Sequence, residues 1–131
     1  LGSSTGNQKS KIIDLKDCRE SLAGDGSILR ELLHPDKAAV EIRYSLAHAT
    51  VEPGARTRRH QLRTAEVYYI LAGRGLMHID GEVSEVSEGC AVYIPPGSTQ
   101  HIENRGTANL VFLCIVDPAW RADDERVLEG D

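Results

Sequence analysis

The side chains able to do chemistry gather in one stretch of a 131-residue chain. Gly54 is followed by five residues and then by His60, Gln61 and Leu62; after three more stands Glu66, and after a further six, Gly73. Fifteen residues lead on to Gly89, then five to Pro95-Pro96-Gly97, with Gln100 after two residues and Asn104 after another three. An imidazole, a carboxyl and an amide oxygen in one region suit a borderline divalent ion, and Glu66 or Tyr68 could move a proton on a molecule bound beside them. Four arginines, Arg56, Arg58, Arg59 and Arg63, crowd His60. If His60 and Leu62 point into a cavity, strand alternation puts Arg58 on the same side. A guanidinium there could clamp a carboxylate or phosphate through two parallel hydrogen bonds. The alternative is a solvated segment whose arginines pair with surface acids, and parity assigns Arg59 and Arg63 to it.

The elements that position these residues are short strands. From about Ile28 onward the chain is broken every few residues by glycine, proline or Asp-Gly. The intervening runs, Val40 to Val51, Val67 to Leu71, Leu76 to Ile79, Cys90 to Ile94 and Leu110 to Val116, are rich in β-branched and aromatic residues. Many short strands joined by tight turns indicate a sandwich or barrel. Asp80-Gly81 reads as a two-residue hairpin turn, and Pro95-Pro96-Gly97 must be a loop. Only Leu29 to Leu33 and the Ala119–Leu128 segment could be short helix, the first equally a strand. Past Glu66, alternation turns Tyr68 and Ile70 inward and Tyr69 outward, so that with Leu62 they give a largely apolar cavity wall. Core packing alone is the simpler role for the two inward residues. His48 would join that pocket if its side of the pleat is inward. His78, opposite in parity to Met77 and Ile79, is expected to be exposed.

Composition bounds the function. The 15 Lys+Arg against 20 Asp+Glu give a formal charge of −5, with 40% hydrophobic and 27% charged residues. That is the make-up of one globular domain. The acidic balance argues against nucleic-acid binding, and no apolar run approaches the roughly 20 residues that span a bilayer. Cys18, Cys90 and Cys114 are odd in number and lack CxxC spacing, so a reducing, cytoplasmic setting without disulfides or zinc knuckles is expected. The first ten residues lack a signal-peptide pattern and read as a flexible tail, leaving 11–131 as a single domain with its core barrel at about 40–117. Gly73-Arg74-Gly75 is no phosphate loop, and neither GxSxG nor HExxH occurs. Trp120, the only tryptophan, lies past the last apolar run and is expected to cap the barrel.

The glycine-framed spacing resembles the cupin superfamily, whose two motifs are G(X)5HXH(X)3-4E(X)6G and G(X)5PXG(X)2H(X)3N. Four of five fixed positions match in each motif, over roughly Pro53 to Asp117. The resemblance implies an all-β jelly-roll barrel, also called a double-stranded β-helix. It implies a divalent metal (Fe, Ni, Zn or Mn) held inside the barrel by His60, Glu66 and the residue at position 100. Leu62 and Gln100 stand where the family has histidines, so the implied ligand set is reduced to His60, Glu66 and Gln100. His101 is adjacent, but alternation turns it away if Gln100 faces inward, unless a bulge slips the register. A hydrogen-bonded polar cluster without metal is the alternative for the same three residues.

Two functions follow as expectations. One is a divalent-metal-dependent enzyme, isomerase- or dioxygenase-like, acting on a small oxygenated compound whose anionic group, if it has one, Arg58 would orient. The other is a non-catalytic binding or sensor protein with a degenerate metal site. A homodimer is the expected assembly.

Overall fold

The structure, a computed structural model, describes residues 9–129. The tail expected over 1–10 therefore falls, apart from Lys9 and Ser10, outside the described residues. The punctuated apolar runs form strands in two antiparallel sheets. The first contains, in spatial order, β1 (Glu20–Leu22), β2 (Ile28–Leu33), β3 (Ser45–Val51), β10 (Leu110–Asp117), β5 (Ala65–Ala72) and β8 (Ala91–Ile94). The second contains β11 (Glu125–Val127), β4 (His60–Leu62), β9 (Gln100–Asn104), β6 (Arg74–Ile79) and β7 (Glu82–Ser87). Strands distant in sequence are neighbours in both, as β10 lies between β3 and β5. This is the all-β double-sheet barrel that the motif spacing implies.

Each strand turns alternate side chains into the space between the sheets. Ala49 and Val51 of β3, Tyr68 and Ile70 of β5, and Phe112 and Cys114 of β10 meet Met77, Val86 and Ile102 from the facing sheet. Phe112 packs on Tyr68 with ring centroids 4.4 Å apart. Burial of each such large apolar side chain contributes about 1.5–3 kcal/mol.

The turns are set by residues that tolerate positive φ. Asp80 (φ 49°) and Gly81 (φ 86°) join β6 to β7 as a two-residue hairpin whose twist matches that of its strands. Gly73 (φ 85°) has a second constraint, because a Cβ there would lie 2.6 Å from the Asn109 carbonyl oxygen. Strand β10 passes too close for a side chain.

One open alternative is settled and two expectations are revised. Leu29 to Leu33 is strand, within β2. The run from Val40 enters a sheet only at Ser45. The Ala119–Leu128 segment holds no α-helix: a single 3-10 turn, Ala122–Asp124, leads into β11, which pairs with β4 through Glu125↔Leu62 and Val127↔His60. A ten-residue helix is marginal on its own, whereas the free edge of β4 offers ladder hydrogen bonds.

Candidate functional site

A cavity of about 260 Å3 lies between the sheets. Strand β4 lends it His60 and Leu62, and β5 lends Glu66 and Tyr68. Asp25, from the loop between β1 and β2, and Glu125, from β11, complete its polar wall. Trp120 also borders it, fixed by its backbone: the main-chain N–H donates to Ser45 Oγ at 2.9 Å, and the carbonyl oxygen lies 2.7 Å from His34 Nε2.

Behind the wall runs a fully buried chain of hydrogen bonds. The Tyr68 hydroxyl donates to Gln100 Oε1 at 3.1 Å, and Gln100 Nε2 donates to Glu66 Oε1 at 3.0 Å. Burial pushes the Glu66 carboxyl up to about 8; the Gln100 bond opposes that rise, and the Asp25 and Glu125 carboxylates add to it. Glu66 therefore holds its proton at neutral pH. Burial and the neighbouring Glu66 likewise keep the Tyr68 hydroxyl protonated, well above its ordinary range.

His60 is oriented by the backbone. Its Nδ1 lies 2.7 Å from the Arg58 carbonyl oxygen, and a carbonyl only accepts, so Nδ1 carries the proton. In the neutral ring Nε2 is then the acceptor. It stands 3.8 Å from Asp25 Oδ2, whose partner Oδ1 is anchored by the Ser27 N–H at 2.9 Å and hydroxyl at 2.7 Å. Burial raises Glu125, with the nearby His60 opposing it and Asp25 reinforcing it. The site thus sets an oriented imidazole and a protonated carboxyl on one small cavity.

Two residues proposed for the pocket lie elsewhere. His48 sits between Ala47 and Ala49, whose side chains face the interior, so alternation turns it to the outer face of its sheet beside Arg30 and Leu113. The Arg58 guanidinium is not part of the cavity wall: its Nη1 donates to the Gly24 carbonyl at 3.1 Å, and its main-chain N–H to the Asp25 carbonyl at 2.6 Å. Through these two bonds Arg58 shapes the Gly24–Asp25 rim. Arg59 reaches Glu129, its Nε 3.2 Å from Oε2, as an ordinary surface pair. With Asp25, Glu31 and Glu125 on the lining, and Lys37 already paired with Glu31 at 2.8 Å, the cavity is matched poorly to anions.

The donor chemistry bears on the metal that the resemblance implies. Gln100 is 1% exposed and spends its amide on Glu66 and its carbonyl on Tyr68. Glu66 would have to ionise to ligate, and Leu62 contributes no donor. As arranged, His60, Glu66 and Gln100 fit a satisfied hydrogen-bond network and do not fit a metal centre. A cluster that could coordinate a metal ion does exist among the described residues: His78, His101 and Glu103, whose ligand atoms lie within 4.8 Å of one another. It occupies the outer face of the second sheet, because His101 alternates with the buried Gln100 and Ile102.

Asp25 and Glu125 were not singled out from the sequence. Asp25 sits in Gly24-Asp25-Gly26-Ser27, which signals only a turn, and Glu125 ends an acidic run that signals only a solvated segment.

Residues 47–116 match the family described as Cupin domain. This chain belongs to the cupin family. An uncharacterized protein of Methanocaldococcus jannaschii is 46% identical to this cupin over 106 residues, 80% of this chain and 84% of that one. A mannose-1-phosphate guanylyltransferase of Escherichia coli is 28% identical over 133 residues, 94% of this chain. This cupin spans only 28% of that enzyme's length. Among solved structures, the polyketide cyclase RemF of Streptomyces resistomycificus superposes with a TM-score of 0.76 at 22% identity, covering 94% of this chain and 88% of that one. At that identity the likeness shows the fold alone. No helix among the described residues is long and apolar enough to cross a membrane.

Proposed function

We propose that this cupin binds a small, uncharged oxygenated compound between its sheets and transfers protons on it, with His60 Nε2 as the acceptor and Glu66 as the donor. The observation that carries this reading is one cavity that holds both a backbone-oriented imidazole and a carboxyl kept protonated by burial. The backbone fixes His60 with its proton on Nδ1, while burial keeps Glu66 protonated with a pKa of about 8. An oriented imidazole and a protonated carboxyl on one cavity are suited to base and acid roles. The volume, roughly nine waters' worth, limits the ligand to a small molecule. The acidic lining favours hydroxyl and carbonyl groups over carboxylate or phosphate. A polyketide cyclase and a nucleoside dehydratase are among the solved structures with this fold.

The test is deuterium exchange. Chelator-treated protein is incubated in D2O with a panel of small hydroxycarbonyl compounds, and label entering at carbon next to the carbonyl is followed by NMR. Exchange that falls at least a hundredfold in His60→Gln and Glu66→Gln variants supports the reading. Turnover that needs an added divalent ion and is lost in Gln100→Leu would instead support a metal-dependent isomerase or dioxygenase inside the barrel. Ligand binding without any exchange would favour a carrier or sensor. The expected homodimer belongs to the same reading; exposed Tyr69, Leu71 and Tyr93 on β5 and β8 supply apolar surface for it, and sedimentation velocity tests it.

A further inference from the structure

We infer that the outer face of the second sheet carries a binding site for a borderline divalent transition ion such as Zn2+, held by His78, His101 and Glu103. The site is separate from the cavity and on the opposite side of β9. Strands β6 and β9 are antiparallel neighbours, with His78 directly opposite His101 and Leu76 opposite Glu103. Glu103 lies two residues along β9 from His101 and so shares its face. Three potential ligands thus project from two hydrogen-bonded strands, a scaffold that holds their backbones rigidly.

The side chains are already gathered. The imidazoles stack with centroids 3.9 Å apart and planes 17° from parallel. His78 Nε2 lies 2.6 Å from Glu103 Oε2, so one proton bridges nitrogen and carboxylate. A metal ion can replace that proton. With bonds of about 2.0–2.2 Å to each atom, a tetrahedral ion needs the nitrogen and oxygen to separate by less than about 1 Å, which side-chain rotation allows. His101 supplies the third bond, and water can take the side facing solvent.

The chemistry selects the ion. Two imidazoles and one carboxylate suit Zn2+, Ni2+ or Cu2+ over Ca2+ or Mg2+, which take oxygen ligands. Partial burial, 25% side-chain exposure for both His78 and Glu103, leaves the site reachable yet lightly solvated. Arg105 Nη1, 3.9 Å from Glu103 Oε1, competes for the carboxylate and tempers the affinity. Among the described residues this is the single group of three His, Cys, Asp or Glu side chains gathered so closely. Metal found with this cupin would then report its outer face and not its barrel.

Isothermal titration of chelator-stripped protein with Zn2+ tests the assignment. One equivalent should bind to the parent chain and equally to a His60→Gln variant. Binding should weaken at least tenfold in each of His78→Gln, His101→Gln and Glu103→Gln, with unchanged far-UV circular dichroism. Zn2+ should also raise the unfolding temperature of the parent but not of His101→Gln. No saturable binding would overturn the inference. So would binding indifferent to His101→Gln, or binding abolished by His60→Gln.

Discussion

Replacing Glu66 by glutamine should remove a large pH dependence from the stability of this protein. The carboxyl is raised from an ordinary 4.5 to about 8 by burial. Between those values the native state keeps a proton that the unfolded chain has lost. Stability therefore falls as pH rises, by about 1.4 kcal/mol per pH unit for one proton. The contribution of the protonated carboxyl is fully present below about pH 4.5 and is lost as pH passes through 8. Glutamine keeps the shape and still accepts from Gln100 Nε2 through its own carbonyl, but it cannot ionise. From pH 5 to pH 7 the parent should lose roughly 3 kcal/mol relative to Glu66→Gln. Urea unfolding of both proteins at pH 5, 6, 7 and 8 measures this, and taking the difference cancels Asp25, Glu125 and the other acids common to both. A difference that is flat with pH, or that rises, would refute the argument that burial holds Glu66 neutral.

Three further outcomes are expected. Gln100→Leu strands the Tyr68 hydroxyl and a Glu66 oxygen in the core, at about 1–3 kcal/mol for each buried group left unpaired; urea unfolding at pH 6 should show the loss, and unchanged stability would mean the chain of hydrogen bonds does not hold in solution. Gly73→Ala meets both positive φ and the Asn109 carbonyl, so it should destabilise more than Gly81→Ala, where φ alone is unfavourable and the added methyl meets open space; equal losses would remove the close-approach argument. Glu129→Gln should speed hydrogen exchange at the Arg59 amide, which donates to Glu129 Oε2 at 2.7 Å, and unchanged protection there would show that the C-terminal segment does not depend on this carboxylate.

Much of the barrel was legible because its signals are local. Alternation fixes which side chains share a face, so the inward Gln100 and Tyr68 and the outward His101 and Tyr69 followed once one residue of each strand was placed. Positive φ at Gly73, Asp80 and Gly81 demanded residues that could be recognised by type. His48 and Arg58 show where such reasoning stops. Alternation relates neighbours within a strand but does not say which face of β3 is inward, nor that the loop before β4 turns the Arg58 guanidinium toward Gly24.

The sequence alone determined that the chain is a barrel of short strands and that His60, Glu66 and Gln100 belong together. Tertiary structure decided what they are together. Asp25 and Glu125 reach His60 only because the β1–β2 loop and β11 close over β4, contacts made between parts of the chain far apart in sequence. Packing of β5 across the barrel from β9 likewise buries Glu66 and engages both ends of Gln100. The protonation of the site is thus a property of packing, since a carboxyl's pKa depends on the water and charge around it and not on the residues beside it in the chain.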